Sequence, residues 1–382
     1  MPAVKRLNIM GWRGINHSYA LVNQFQLLSF RKHSDIEIVH SDRPFASPSW
    51  NESANNSGLL AEDVAWLKSI PQGENDGTFD WRYQIYSPNE YLPAVGREAS
   101  LVFMVTELGI DSGDEQTKKL IAAANGGELK IVTPSQWSKS CLIKSGIKDN
   151  AIRVVPHAAS LDYFHAIDQD EIKLSRQNLS ISDTDIVLLN VSSPFWNKGC
   201  DVLITGFARA LEKNKNLLLI IKDQKNLYNL DSQQAIHESL KVHNIDPGPV
   251  LNRIRIIQDN LNLQQLRTLY NISDWYVSPY RAEGFNLPVC EALVCGTPVI
   301  VTDGGATDDF VNVNSGFKIQ SKMMEQLDPH GKPIFYREPI QEHLIKLLCT
   351  ADRKRDRTHI IDPKFFSWNY AIDKLVITFK SL

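Results

Sequence analysis

Long apolar runs are missing from this sequence. None approaches the ~18–20 residues that a bilayer-crossing helix needs, so no segment reads as a span. Cysteine is scarce as well. Cys141, Cys200, Cys290, Cys295 and Cys349 are odd in number and include no Cys-x-x-Cys pair, which fits reduced thiols better than a disulfide framework or a zinc site. The ten histidines show no zinc-type His-x3-His spacing. A dominant charge sign is absent too: 41 Lys and Arg stand against 44 Asp and Glu, for a net charge of −3. No global field draws in nucleic acid or anionic lipid, so any anion site must be local. The opening "MPAVKRLNIMGWRG" lacks the apolar core of a secretory leader. These absences set the expectation of a cytoplasmic chain with no nucleic-acid partner.

What is present is an ordinary globular composition, 43% hydrophobic and 22% charged, over 382 residues. That length is enough for two domains. Short apolar runs alternate with helical patterns from end to end, as in parallel sheets flanked by helices. In the first half the reading gives strands at Arg6–Met10, Asp35–His40, Leu101–Glu107, Leu129–Pro134 and Ile152–Pro156, with a helix from Ser18 to His33. Between Phe45 and Gly77 the chain is rich in Ser, Asn, Asp and Pro, and reads as a long irregular excursion. The polar segment Gln169 to Asp185 reads as the interdomain linker. Beyond it come strands at Asp185–Ser193, Leu217–Lys222, Arg253–Ile257, Trp275–Pro279 and Val299–Asp303. Between them, Val202, Leu203, Phe207 and Leu211 share one helix face, and Asn262 caps a helix carrying Leu263, Leu266 and Tyr270. Pro288 and Gly296 bracket a short helix. Phe366–Leu382 reads as a closing amphipathic helix.

In open α/β sheets, ligands bind at the carboxyl ends of strands. Lys198 and Gly199 follow the first strand of the second half, and Lys222 ends the next. Glu283 follows "WYVSPY", and Asp303-Gly304-Gly305 follows "VIVT". The stretch "RAEGFNLPVCEALVCGTPVIVTDGG", Arg281 to Gly305, sets Glu283 and Glu291 eight positions apart around a Gly-Phe-Asn-Leu-Pro turn. The amides of Phe285, Asn286 and Leu287 lead into a helix whose positive end suits a phosphate. Gly284 lets the backbone come close to a ligand. A carboxylate beside bound phosphate is repelled unless it meets neutral hydroxyls. Glu283 therefore reads as accepting hydrogen bonds from a sugar ring, and Glu291 from a ribose. A plainer reading stands beside this one, in which Glu291 charges the helix and Glu283 is a solvated loop acid.

The same stretch resembles the E-x7-E signature of the retaining GT-B glycosyltransferases of family 4, the glycosyl transferases group 1. "VTPSQWSKSCLIKSGI" followed by "IRVVPHAASLDYF" is similar to the family's end of the first domain, and "WNKGCDVLITGFARAL" to its Lys-Gly donor segment. "LRTLYNISDWYVSPYRAEGF" resembles its approach to the E-x7-E turn, and "FSWNYAIDKL" its closing Trp helix. The likeness covers most of Ile131 to Leu382, while the first 130 residues match loosely. It implies an α/β chain of two Rossmann-like parallel-sheet domains facing a central cleft. Residues 1–170 would read the acceptor, 183–365 would hold the nucleotide-sugar donor, and a helix over 366–382 would cross back to the first domain. The implied reaction moves a sugar from a nucleoside-diphosphate donor to a glycan, lipid-linked or small-molecule acceptor, with retention and without a metal or other cofactor.

The resemblance also implies roles for single residues. Glu283 would contact the donor sugar's hydroxyls, and the amides of Gly284, Phe285, Asn286 and Leu287 would hold sugar and phosphate. Glu291 would bind the ribose. Lys198 would neutralise the departing diphosphate, with Lys222 and Ser193 as further donor contacts. The base would lie near Ile256–Gln258, met by backbone groups such as those of Ile257. The loop "GWRGINHS" would close over the phosphates, Gly14 giving close approach.

The sequence departs from the family in places. An Arg usual five or six residues before the Lys is replaced by Ser192 and Ser193, leaving the hydroxyls and Lys222 to compensate or donor binding weak. Ala158 stands where Gly is usual. The first domain shows no clear His-Asp pair for the sugar's far side. Glu107 is the nearest positional substitute as catalytic partner, and His157 reads as structural. Asp183-Thr184-Asp185 spells a metal-binding Asp-x-Asp but precedes a strand, so it reads as a linker turn. "DRKRDR", Asp352–Arg357, reads as a solvated face, with peripheral contact to acidic lipid on the inner membrane face as its second reading. Two other functions stay in view. One is a GT-B-like subunit that binds nucleotide sugar without turnover, kept open by the missing Arg. The other, an NAD-dependent dehydrogenase, needs a G-x-G-x-x-G that "GWRGINHS" does not provide.

Overall fold

The computed structural model describes residues 4–53, 56–74, 78–85, 91–96, 98–111, 113–327, 331, 333–353 and 361–382. The chain runs β1 (Lys5–Gly11), α1 (Ser18–Phe30), β2 (Ile36–Asp42), α2 (Ala61–Ser69), β3 (Trp81–Ile85), β4 (Ala99–Phe103), α3 (Glu115–Gly126), β5 (Leu129–Thr133), α4 (Gln136–Lys144) and β6 (Ile152–Val154). It continues through α5 (Gln169–Asn178), β7 (Ile186–Val191), α6 (Cys200–Lys213), β8 (Leu217–Lys222), α7 (Lys225–Tyr228), α8 (Ser232–Val242), α9 (Pro247–Leu251) and β9 (Ile254–Ile257). Then come α10 (Leu263–Ile272), β10 (Trp275–Ser278), α11 (Leu287–Val294), β11 (Val299–Thr302), β12 (Gly316–Ile319), β13 (Ser321–Leu327), β14 (Pro333–Pro339), α12 (Gln341–Cys349) and α13 (Trp368–Lys380). Two compact units result: Met1–Ala158 with Leu327–Ile334 and Ser367–Leu382, and Ala159–Gln326 with Phe335–Phe366.

The first unit carries a six-stranded sheet in the order β2-β1-β3-β4-β5-β6, every adjacent pair parallel. Its expected strands are present. β4, however, spans Ala99–Phe103, so Glu107 lies in the loop beyond it instead of closing the strand. β3 escaped the sequence reading because WRYQI carries an Arg and a Gln yet is buried throughout. The Arg82 guanidinium lies 3.9 Å from the Glu98 carboxylate, both side chains 2% exposed. A buried charge held by its counter-ion breaks the apolar pattern without breaking the strand. Within the stretch expected to be irregular, α2 forms, burying Leu67. In the same unit α13 lies on α1: Phe25 stacks on Trp368 at 5.6 Å, and Trp81 on Phe379 at 4.9 Å.

The second unit carries another six-stranded parallel sheet, ordered β12-β11-β10-β7-β8-β9. β8, LLLIIK, is buried along its whole length, as expected of a strand covered on both faces. α6 presents Val202, Leu203, Phe207 and Leu211 to this sheet's core. α10 begins with a full capping box, Asn262 and Gln265 each accepting the other's backbone N–H. β13 and β14 form a separate two-stranded ribbon.

The polar segment Gln169 to Asp185, read as a linker, is corrected by the structure: its first ten residues form helix α5, and all of it belongs to the second unit. Asp168 caps it through the Glu171 amide at 2.7 Å. Only Ile172 and Arg176 are buried, too narrow a stripe to register as an apolar face. Arg176 reaches the carbonyl oxygens of Ile272 and Asp185 and the Asp274 carboxylate. Of the run Asp352–Arg357, residues 354–357 lie outside the described residues. Among the described residues no helix is long and apolar enough to cross a membrane.

Candidate active site

The second sheet grows outward from β7 in one direction through β8 and β9, then in the other through β10, β11 and β12. The chain therefore changes direction between β7 and β10, the kind of switch point at whose strand carboxyl ends ligands bind in open α/β sheets. The β7–α6 loop carries Ser193 and Lys198; the β10–α11 loop carries Glu283 and Gly284. β8, ending at Lys222, and β11, leading into Asp303, flank them. Four adjacent strand ends thus bring together the residues picked out in the sequence.

Lys198 and Glu283 meet. Their Nζ and Oε2 atoms are 2.9 Å apart, with the side chains 22% and 11% exposed. The two loops are fastened one residue earlier. The Asn197 carbonyl accepts the amides of Arg281 at 2.7 Å and Ala282 at 3.2 Å, and the Asn197 side chain donates to the Ala282 carbonyl at 3.2 Å. Gly199, at φ 69°, closes the first loop. A Cβ there would lie 2.0 Å from the Pro279 carbonyl oxygen, so the approach requires glycine.

Beyond Glu283, Phe285 stacks on Phe310 at 4.9 Å. Asn286 takes a left-handed conformation, φ 75°, and its side-chain amide donates to Ser278 at 3.0 Å. With that side chain turned away, α11 starts at Leu287 without a side-chain cap among the described residues. Pro288 has no N–H and the Val289 amide bonds the Asn286 carbonyl at 3.1 Å, so among the first three positions of α11 the Leu287 amide is the donor left for an anion. Glu291 sits one turn in, 7% exposed, and accepts the Tyr270 hydroxyl at 2.7 Å. Burial pushes its carboxyl up to about 7, against the opposing pull of that hydrogen bond.

Lys222 is 4% exposed. Its ammonium donates to the Asp223 carbonyl, and burial brings it down to about 8, with Asp223 and Asp259 opposing. Ser192 donates to Asn190 at 2.6 Å, and its amide bonds the Lys222 carbonyl at 3.0 Å. Next to it, the Ser193 hydroxyl is buried with no hydrogen-bond partner among the described residues. Such an atom costs free energy unless a ligand satisfies it. Ile257 pairs with Lys222 across β8 and β9. Asp303 lies 3.7 Å from Lys318.

Of the remaining sequence-derived residues, Gly14, Glu107 and His157 lie in the first unit and Asp185 in the second. Gly14, φ 87°, donates its amide to Gln24 at 3.0 Å. With Arg13, Asp42, Arg43, Glu52 and Lys68 it lines a cavity of about 800 Å³. Arg13 grips Asp42 bidentately at 2.8 Å. His17 caps α1 and packs against Trp50 at 4.3 Å; burial lowers it to about 4, so it is neutral. The Glu107 carbonyl accepts Trp137 at 2.9 Å. His157 is buried between Phe103 and Trp368 and lowered to about 3 by that burial, a neutral packing residue. Asp185 of the Asp-x-Asp triplet accepts the Ser182 amide at 2.8 Å and holds Arg253 at 2.6 Å. It thus has structural partners.

Sequence reasoning missed two members of the second-unit site. Arg281 is 6% exposed. It binds Asp201 through two bonds of 2.8 Å and Glu338 at 2.7 Å. Tyr270 was read only as a helix-face residue. The signal for Arg281 lay in plain view two positions before Glu283, but its partners are 80 and 57 residues away.

Comparison with known proteins agrees with this architecture. Residues 171–330 match the family described as Glycosyl transferases group 1. The structure is similar to Anabaena Alr3699/HepE in complex with UDP-glucose, with a TM-score of 0.65 at 14% identity, covering 99% of this chain and 100% of that one. It is also similar to a glycosyltransferase from Rickettsia africae, with a TM-score of 0.67 at 14% identity, covering 99% and 98%. A D-inositol 3-phosphate glycosyltransferase from Catenulispora acidiphila is 24% identical over 275 residues, 69% of this chain and 58% of that protein. The chain spans about half the length of the curated relatives it matches, 54% of another. Both sheets and these likenesses define an α/β chain of the GT-B fold. The family match itself covers residues 171–330, less than half of the chain.

Proposed function

We propose that the chain transfers a sugar from a nucleoside-diphosphate donor to an acceptor, with retention and without a metal. The observation that carries this reading is the Lys198–Glu283 pair at 2.9 Å beside the uncapped start of α11. An ammonium has three N–H donors. One meets Glu283, and the others suit the oxygens of a diphosphate. As the glycosidic bond breaks, negative charge gathers on the diphosphate while the sugar becomes oxocarbenium-like. Lys198 and the Leu287 amide at the start of α11 are the donors for that charge, which is where electrostatic catalysis has most effect. Glu283 accepts hydroxyls of the sugar; Glu291 accepts the ribose; Ser193 and Lys222 meet the diphosphate. The acceptor proton leaves on a diphosphate oxygen, on the face where the acceptor enters.

The relative solved with UDP-glucose supports a uridine donor, with backbone groups near Ile257 reading the base. The cavity beside Gly14, with its Arg13, Arg43 and Lys68, supports a polyhydroxylated acceptor in the first unit. Glu107 is the acid proposed on that side. A second reading, binding without turnover, draws on Ser193 standing where the family carries Arg.

The experiment is a thermal-shift screen with UDP-, GDP- and ADP-sugars, followed by donor hydrolysis and transfer. A ligand at 100 times its Kd stabilises by ~2.7 kcal/mol. Lys198→Ala and Glu283→Ala are each expected to lower turnover at least tenfold, about 1.4 kcal/mol, with the fold intact and with activity persisting in excess EDTA. Wild-type rates in both variants overturn the site. Activity abolished by EDTA and restored by Mn²⁺ overturns the metal-free mechanism, and binding without turnover on any acceptor selects the second reading.

A further inference from the structure

The contacts around Arg281 exceed what one salt bridge needs. Nε donates to Glu338 of β14 at 2.7 Å; Nη1 and Nη2 bind the two oxygens of Asp201, at the start of α6, at 2.8 Å each. Nη1 also donates to the Trp196 carbonyl at 3.0 Å. The guanidinium lies 5.1 Å from the centre of the Trp196 ring, whose edge meets Tyr336 of β14 at 4.9 Å. The Arg281 carbonyl accepts the Arg337 amide at 2.8 Å.

One side chain therefore fastens three pieces of chain: the β7–α6 loop, the β10–α11 loop and the base of the β13–β14 ribbon. Lys198 lies two residues past Trp196, and Glu283 two residues past Arg281 itself. A guanidinium is a planar fork that fits a carboxylate bidentately while its face stacks on an aromatic ring; an ammonium offers only a point charge. The site also sets a charge requirement. Arg281 lies between two carboxylates, Asp201 at 48% and Glu338 at 35% side-chain exposure, and removing it leaves both without this partner.

We propose that Arg281 is a positioning residue that holds Lys198 and Glu283 at bonding distance, and that the β13–β14 ribbon takes part in catalysis through Glu338 and Tyr336. This rests on the donor-site reading above. Because the clamp acts on where Lys198 sits when charge develops, its loss falls on kcat more than on donor KM. The ribbon is thus a lever: whatever displaces β14 from Arg281 loosens the pair.

The test uses the full chain with Arg281→Lys, Arg281→Ala and Glu338→Gln. Hydrogen exchange is followed at the amides of Arg281 and Ala282, which bond the Asn197 carbonyl. These amides are expected to exchange about tenfold faster in Arg281→Lys while core strands keep their protection. Transfer or donor hydrolysis should show kcat lowered at least tenfold, equal to about 1.4 kcal/mol, with donor KM within about threefold. Glu338→Gln, which keeps a neutral acceptor, should fall between wild type and Arg281→Lys. Guanidinium ion added at non-denaturing concentration should restore part of kcat in Arg281→Ala and none in Lys198→Ala. Unchanged exchange at Arg281 and Ala282, or an unchanged kcat in Arg281→Lys, overturns the proposal. If the wild type turns over no nucleotide sugar, the donor-site reading fails at that step, and the exchange result still decides whether the clamp exists.

Discussion

Replacing Glu291 by Gln isolates one buried charge. The carboxyl rises from 4.5 in the unfolded chain to about 7 in the fold, chiefly because burial penalises the carboxylate. A shift of that size corresponds to about 3 kcal/mol. The native state binds this proton more tightly than the unfolded state. The stabilisation from the protonated form is therefore fully present below pH 4.5 and is lost as pH rises through 7. Glu291→Gln has no such dependence, and its amide oxygen still accepts the Tyr270 hydroxyl seen at 2.7 Å in the wild type. Thermal unfolding from pH 4.5 to 8.5 should show the variant gaining on the wild type. For a domain of 150–250 residues the gap should widen by roughly 6–12 °C over that range. Calorimetry completes the argument, because a ribose hydroxyl favours the ionised carboxylate. At pH 6 a group of pKa 7 is ~0.9 protonated, so UDP binding should release nearly one more proton from the wild type than from Glu291→Gln. Near pH 8 Lys222, at about 8, should instead take up protons from solvent, in the wild type and the variant alike. Parallel stability curves would refute the buried-charge account; equal proton release at pH 6 would remove Glu291 from the ribose.

Two further outcomes are expected. Ser193→Ala deletes a buried hydroxyl that has no partner among the described residues. Stability should hold or rise, while UDP affinity measured by titration calorimetry weakens by ~0.5–1.5 kcal/mol, one hydrogen bond's worth. Gly199→Ala combines φ 69° with a Cβ 2.0 Å from the Pro279 carbonyl. It should cost more than ~2 kcal/mol in chemical denaturation, and a smaller loss would mean that the two loops can move apart.

The fold was legible wherever pattern and burial coincide. β8 is apolar and buried from end to end, and α6 lines its face with Val202, Leu203, Phe207 and Leu211. Legibility failed where polar groups are buried with partners distant in sequence. β3 hides Arg82 against Glu98. α5 looks like a linker because its one buried cation, Arg176, is satisfied by Asp274, 98 residues on. Local pattern registers polarity, and it cannot register a counter-ion supplied by tertiary structure.

The site divides along the same line. Lys198, Glu283 and Glu291 could be read because strand ends and a helix start fix their places whatever the rest of the chain does. Arg281 could not, since nothing next to it in sequence says that its charge is buried between Asp201 and Glu338. The groups proposed to touch a ligand are placed by topology and leave a motif. The groups that fix those groups are placed by packing and leave none. For that reason an Arg sitting two residues from a recognisable Glu, with four hydrogen bonds to groups on two other segments, is where the chemistry of this site should be most sensitive to a change that no motif marks.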